Sequence, residues 1–366
     1  MASGNFRTSY RDDQKLIKTN FMRFWILVLV ASLLYLPHVL QSRAIFGFGL
    51  SQTQLLGMSL TQVNFALIAI IGAIGLNLLI GYTGQISLGN AAFFAIGAIG
   101  AGTTHVQWGW PFPLVLLSAG LLGATVGVII GLPSLRLRGL YLLMATLGLH
   151  FIANYAFLKY QSRYYGPTGI SFRGMNLFGW TISNPVRWYF VLVVVVALTI
   201  IGTKNLLRSR EGRAFMSVRD QDIAAGATGI NVSATKLRAF AYSSFLVSVA
   251  GALYVMYLSN AQQEIFSLLL AIQFIAMIII GGLGSLSCAV FGALLWQLLP
   301  GIIRTLSETV PATTPIVGNL LTRNSAQLNN ILLGLIIMLI LILKPQGLNG
   351  MWISVRRFFQ RWPYTT

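Results

Sequence analysis

An all-α polytopic membrane protein is the fold class this sequence predicts, on three observations. Hydrophobic residues make up 56% of the 366 positions and charged residues only 9%, whereas an ordinary soluble chain carries about 25% charged residues. Apolar runs recur from end to end, each near the ~17–25 residues needed to cross a hydrocarbon core of about 30 Å. The formal charge of +18 sits in short segments between those runs. Anionic lipid and insertion topology account for that placement, which leaves no case for nucleic acid as a partner. The single cysteine, Cys288, excludes an internal disulfide and a cysteine-built metal site.

Residues 1–23 are polar, carry Arg7, Arg11, Lys15, Lys18 and Arg23, and read as a cytoplasmic segment. This basic start before an apolar run imitates a secretory signal. Yet His38-Val-Leu-Gln-Ser-Arg-Ala44 offers no small-x-small cleavage site, so 24–40 reads as a retained first span. A membrane domain over 24–343 follows, with further spans predicted at 61–81, 86–104, 114–132, 139–158, 188–203, 239–258, 268–283, 286–303 and 329–343. The spans at 86–104 and 286–303 are rich in glycine and small residues. A basic tail, 344–366, closes the chain. With the N-terminus in the cytoplasm, 18 of the 25 Lys and Arg residues lie inside and seven outside. The positive-inside bias therefore puts both termini in the cytoplasm.

Outer segments are predicted at 159–187 and 304–328. The first holds Tyr160, Tyr164, Tyr165, Phe172, Phe178 and Trp180, with Trp188 beside it. Such aromatics form either an interfacial belt or a docking surface. Pro311 and Pro315 make the second irregular. Within the apolar spans there is no Asp, Glu, Lys or Arg, the groups that ion-coupled transporters place at membrane depth. Glu264 lies near a span end and reads as interfacial. His38, His105 and His150 are isolated, without metal-ligand spacing; His150, inside an apolar span, is a packing histidine or a path-lining one. No Gly-x-x-x-x-Gly-Lys-Ser/Thr loop exists, which rules out that route to ATP hydrolysis in this chain.

Three motifs carry functional information. In Gly75–Gly97 an apolar run is punctuated by Gly81, Gly84 and Gly89 and carries Asn77, Tyr82, Gln85, Ser87, Asn90 and Phe93. Either glycines let helices pack closely, or the helix is broken at membrane depth and lines a cavity. The amide side chains favour the break, since amides on a lipid face are costly. Ile280–Gly292 repeats the flavour with Gly282, Gly284 and Ser285, and faintly hints at an internal repeat. The third stretch lies within the polar segment 204–238 and carries three of the seven acidic residues, Glu211, Asp220 and Asp222. Asp220, Asp222 and Ile223-Ala-Ala-Gly226 predict a short helix with both aspartates in its first turn, where the dipole is positive. Gly226 and Gly229 loosen or end it. This stretch is a solvated loop or a partner-docking element.

Together these stretches, with Gly212–Tyr254 (Gly-Arg-Ala, then Ile-Ala-Ala, Gly-Ile-Asn-Val and Ala-Gly-Ala-Leu-Tyr), closely resemble the membrane permeases of branched-chain amino acid ABC importers, and their M-type subunit in particular. Gly166-Pro-Thr-Gly-Ile170 and Leu177-Phe-Gly179 resemble that family's outer loop. The resemblance implies a type II importer permease fold in the bacterial plasma membrane, paired with a homologous second permease. It implies two cytoplasmic ATPase subunits, which carry ATP and magnesium while this chain binds no cofactor or metal and is no enzyme. A periplasmic or lipid-anchored binding protein would deliver hydrophobic amino acids. The element around Gly212, Arg213, Arg219, Asp220, Asp222, Ala224, Ala225 and Gly229 would couple to an ATPase. The two glycine breaks would line the path, through Asn77, Tyr82, Gln85, Ser87, Asn90, Phe93, Gly282, Gly284 and Ser285. Two positions depart from the family. Asn90 stands where histidine is common. Cys288 stands where glycine is common, which argues against a close backbone approach there. The same motifs occur in importers of urea, short amides and aromatic acids; a secondary transporter and a polytopic membrane enzyme are the alternatives from other classes.

Overall fold

The computed structural model describes residues 59–309 apart from 136, 138, 173–175, 178–179 and 183, together with 28, 31–38 and scattered positions from 331 to 350. The spans predicted at 24–40 and 329–343 lie largely outside the described residues, as does most of 304–328. The chain divides into two units, Met1–Leu55 and Leu56–Thr366. The first is described only as helix at 28 and 31–38. All other elements belong to the second.

In order these are α1 (Leu60–Thr83), α2 (Asn90–Ala101), a π-helical turn (Gly102–Gln107), α3 (Phe112–Ser134), α4 (Leu140–Tyr164), β1 (Ile170–Ser171), β2 (Asn176–Leu177), β3 (Trp180–Thr181) and α5 (Pro185–Arg208). Then come α6 (Arg210–Asp220), α7 (Asp222–Ala227), α8 (Val232–Leu258), β4 (Asn260–Ala261), a 3-10 turn (Gln263–Phe266), α9 (Leu268–Gly281) and α10 (Leu286–Thr309). The four short strands pair as β1 with β4 and β2 with β3, both antiparallel. The first pair ties the loop after α4 to the end of α8, with Ile170 opposite Ala261.

Local chemistry sets the ends. Ser59 and Gln62 form a reciprocal capping box at the start of α1. Gly84, left-handed at φ 69°, closes it by returning its N–H to Ile80 and Leu79. Asn184 and Pro185 open α5, and Asn231 opens α8 by accepting from Ala234 N at 3.0 Å. Among the described residues five helices (α1, α3 up to Pro133, α4, α5 and α8) are long and apolar enough to cross a membrane, so this is a multi-pass membrane protein. In the most apolar window of α1, 83% of residues are buried, and in that of α8, 72%, against 22% in α5. The core therefore sits between α1 and α8, while α5 is mostly exposed at its edge.

Small residues make that core possible. α8 packs on α1, α2 and α3. A Cβ at Gly97 would overlap the Ser248 backbone, and one at Gly251 would overlap the carbonyl of Phe94. On α3, Gly123, Gly127 and Gly131 face Ser248, Ser244 and Leu237 of α8. This is the small-xxx-small contact through which apolar helices gain van der Waals packing in lipid. Ser248 Oγ also donates to Phe93 O at 2.7 Å, joining α8 to α2.

Several expectations change. The apolar runs understate the helices: α8 starts at Val232 and α5 continues to Arg208, because the first turns of α8 and the last turn of α5 are polar. Asp220 does not open a helix; it ends α6, and Gln221, extended at φ −163°, separates it from α7. Only Asp222 lies in the first turn of α7. Backbones do approach closely at Cys288. A Cβ at Gly281 would overlap the Cys288 carbonyl, so the glycine on the facing helix makes the room and the cysteine side chain is not in the way.

Overpacking a tight core costs about 1–3 kcal/mol. Gly97→Val and Gly251→Val are therefore expected to lower the thermal midpoint of the detergent-purified chain by several degrees or abolish folded yield. Gly148→Ala, where a Cβ meets nothing within 4 Å, is expected to leave it unchanged. Equal midpoints for all three would contradict the packing described.

Candidate functional site

The two glycine breaks meet at one end of the bundle. After α1 the chain is irregular through 84–87, leaving the helix by the left-handed Gly84, before α2 begins. After α9 it turns through Gly282 (φ 110°) and Gly284 (φ 78°) into α10, conformations that only glycine adopts freely. Asn77, 1% exposed, joins them: its Nδ2 donates to Ser285 O at 2.9 Å and its Oδ1 accepts from Gly284 N at 3.1 Å. Gly81, one turn along, is needed for the fit, since a Cβ there would lie 2.5 Å from Gly284 N. Tyr82, half-buried, lies in the last turn of α1 between Gly81 and Gly84.

α6 docks on this junction. Gly212, Phe215 and Val218 form its buried stripe, and Phe215 packs among Leu78, Leu79, Leu142, Ala239 and Phe240. A Cβ on Gly212 would collide with the Leu207 backbone. Arg219, in the last turn, donates to Gly81 O at 3.1 Å. That carbonyl is among the last of α1, which lack partners within the helix and carry negative dipole charge. The same guanidinium lies 3.0 Å from where a Cβ on Gly284 would stand, and Arg219 Cγ lies 3.3 Å from that position at Gly84. One side chain thus touches the end of α1 and both breaks. Asp220 Oδ1 holds it from the other side, accepting from Nε and one terminal nitrogen at 3.1 and 3.0 Å.

The remaining charges brace the element internally. Glu211 pairs with Arg238, and Asp222 pairs with Lys236, joining α6 and α7 to α8. The second pair is mostly shielded, its side chains 26% and 15% exposed. Arg213 is exposed and donates to Arg208 O at 3.0 Å. α7 turns outward: Ala225 is buried, Ala224 and Gly226 are exposed, and Ile223 is 75% exposed. Gly229, at φ 83°, follows it.

At the first break, Gln85 Nε2 donates to Thr83 Oγ1 at 3.1 Å and to Lys236 O at 3.4 Å. Ser87 Oγ accepts from Gly89 N at 3.1 Å, and Phe93 O accepts from Ser248. Asn90 keeps a buried Nδ2 with no partner. Thr146 of α4 belongs to the site too: its Oγ1 accepts from Leu88 N at 3.0 Å. Nothing in an apolar run marks a threonine for that contact 58 positions away. Lys236 and Ser248 were equally invisible as partners. Among the described residues no group of three His, Cys, Asp or Glu could hold a metal. What the arrangement can do is mechanical, because a force on α6 reaches both breaks through one cation and one amide.

A family model described as "Branched-chain amino acid transport system / permease component" matches residues 58–341. The chain belongs to this permease family. Among relatives of the permease, the high-affinity branched-chain amino acid transport system permease protein LivM of Salmonella typhimurium is 29% identical over 317 residues, 80% of this chain and 70% of that protein. Its Escherichia coli K12 counterpart is 29% identical over 312 residues, 79% and 69% of the two chains. The autoinducer 2 import system permease protein LsrC of an Enterobacter species is 26% identical over 261 residues, 71% and 70%. No solved structure matches. The matched region of the permease contains both breaks, α6 and α7.

Removing the Asn77 amide leaves a buried N–H and a buried carbonyl unpaired, at about 1–3 kcal/mol each. Asn77→Ala is expected to drop the thermal midpoint markedly, and Arg219→Ala less, since Arg219 is 38% exposed. Differential scanning fluorimetry of the purified permease checks the order; an unaffected Asn77→Ala would show that the clasp is not structural.

Proposed function

We propose that this permease is one of two membrane-spanning subunits of an ATP-driven importer of branched-chain amino acids in a bacterial plasma membrane, with both termini cytoplasmic. Its partners are a homologous permease, two cytoplasmic ATPase subunits that hold ATP and magnesium, and a periplasmic or lipid-anchored binding protein. It performs no chemistry on its cargo and binds no cofactor of its own. One observation carries the reading: Arg219 joins the polar α6–α7 element to both helix breaks. Force delivered there by an ATPase would move the breaks, and with them a path formed by Tyr82, Ser87, Asn90, Phe93, Gly282, Gly284 and Ser285. Asn77 and Gln85 brace that path. α7 is the contact point, since Ile223 and its exposed small neighbours offer an apolar knob outside the bilayer. The names of the LivM relatives support the cargo.

A second reading, a cargo other than an amino acid, is favoured only by the LsrC relative, whose name gives autoinducer 2. Uptake into proteoliposomes containing the assembled importer separates the two. Saturable ATP-dependent uptake of leucine, with none of autoinducer 2, is expected; uptake of autoinducer 2 alone would sink the amino-acid reading.

Ile223→Asp is expected to cut co-purification of the ATPase subunits and leucine uptake at least tenfold without altering the permease's folded yield, because that side chain packs on little of its own protein. Undiminished co-purification would place the ATPase contact elsewhere.

A further inference from the structure

The first break holds hydrogen-bond donors that the protein does not use. α2 opens at Asn90 behind Gly89, which provides no side-chain cap. The backbone N–H groups of Asn90, Ala91 and Ala92 have no acceptor among the described residues, yet these residues are only 2%, 0% and 1% exposed. A helix end buried without partners asks for a ligand. A second, independent observation points the same way: Asn90 Nδ2 is buried with nothing to donate to. Ser87, 1% exposed, accepts from Gly89 N and keeps its own hydroxyl proton to give.

The opposite wall is α4, whose Thr146 accepts from Leu88 N. A Cβ on Gly89 would sit 3.4 Å from Thr146 Cβ and from Leu149 Cδ2. His150 lies one turn beyond Thr146 on the same buried face, 2% exposed, and its Nδ1 has no partner. The cluster is rich in donors and contains no carboxylate. Its chemistry therefore selects an anion. The dipole of a twelve-residue helix adds positive charge at the same point, and interrupted helices in transporters present such ends to anionic groups.

We infer that the N-terminus of α2, with Asn90 Nδ2 and the Ser87 hydroxyl as side-chain donors, binds the α-carboxylate of the transported amino acid, and that His150 Nδ1 receives its ammonium group. This rests on the amino-acid reading above. Histidine serves as acceptor in the tautomer that carries its proton on Nε2. The donors are sealed in this conformation, so the site opens when the 84–89 segment moves. That segment hangs from Gly84, beside Arg219. Loading and unloading of the carboxylate would thus follow α6.

The test is photolabelling of the assembled importer in proteoliposomes with a leucine analogue bearing a side-chain diazirine, mapped by mass spectrometry. Label is expected within 84–93 or 146–153, with the analogue's carboxamide at background. Asn90→Asp is expected to reduce labelling at least tenfold by placing a like charge at the site, whereas Asn90→His, which keeps a donor, stays within threefold. Binding-protein-stimulated ATP hydrolysis within twofold of wild type certifies assembly. If Asn90→Asp does not assemble, Asn90→Ala and His150→Phe carry the same tenfold criterion. Equal labelling by acid and carboxamide, label confined elsewhere on this chain, or an unchanged tenfold comparison would overturn the site. Leucine uptake by the wild-type importer is scored separately: its absence sinks the cargo assignment, while the labelling pattern alone decides the site.

Discussion

The hydrocarbon core offers no hydrogen bonds, so a broken helix must be closed by protein groups or line a cavity. In this permease that closure is the Asn77 amide, which takes the N–H of Gly284 and gives to the carbonyl of Ser285, 207 and 208 residues away. Arg219 supplies the other half by capping the carbonyl of Gly81. The rest of the arrangement depends on this pair. Gly81 must lack a side chain for the breaks to meet, Gly284 must be left-handed to present its N–H, and α6 must lie flat against Leu78 and Leu79 for Arg219 to reach.

The core is built to keep that junction in register. α8 crosses α2 and α3 at glycine and serine contacts so close that a single Cβ would not fit, and such backbone contact leaves little room for independent tilting. α8 also begins with Lys236 and Arg238, which hold Asp222 and Glu211. The α6–α7 element and the helix at the centre of the bundle are thereby joined twice, once through ion pairs and once through Phe215 beneath them. On the proposed reading, the polar stretch between two spans is a lever. Its aspartates and arginines fix its angle, and its exposed face is left to small residues and Ile223.

Much of this was legible in the sequence. Apolar runs located α1 to α5 and α8 to α10, and the clustering of glycine with Asn77 and Gln85 marked the first break correctly as an interruption. The acidic cluster at 211–222 marked the polar element that folds as α6 and α7. Two kinds of fact were not legible. One is the identity of partners across long separations: Asn77 reads as a polar residue near a path, and only the fold shows both of its amide atoms engaged by Gly284 and Ser285. The other is what a glycine makes room for, since Cys288 looked too large for a close approach whose space comes from Gly281. The spacing of Gly123, Gly127 and Gly131 was a readable packing signal within an apolar span, and it is the signal that would have identified the α3–α8 contact.

The claim that α6 and both breaks move as one body is tested most directly by spin-label distances in the assembled importer on a Cys288→Ala background. One pair joins Ala224 on α7 to Leu283 at the second break; the other joins Leu283 to Tyr164 at the far end of α4, all three exposed in this chain. Between nucleotide-free and ATP-bound states, the first distance should hold constant while the second changes. A first distance that changes as much as the second would show that α7 moves without the breaks, and would contradict the account.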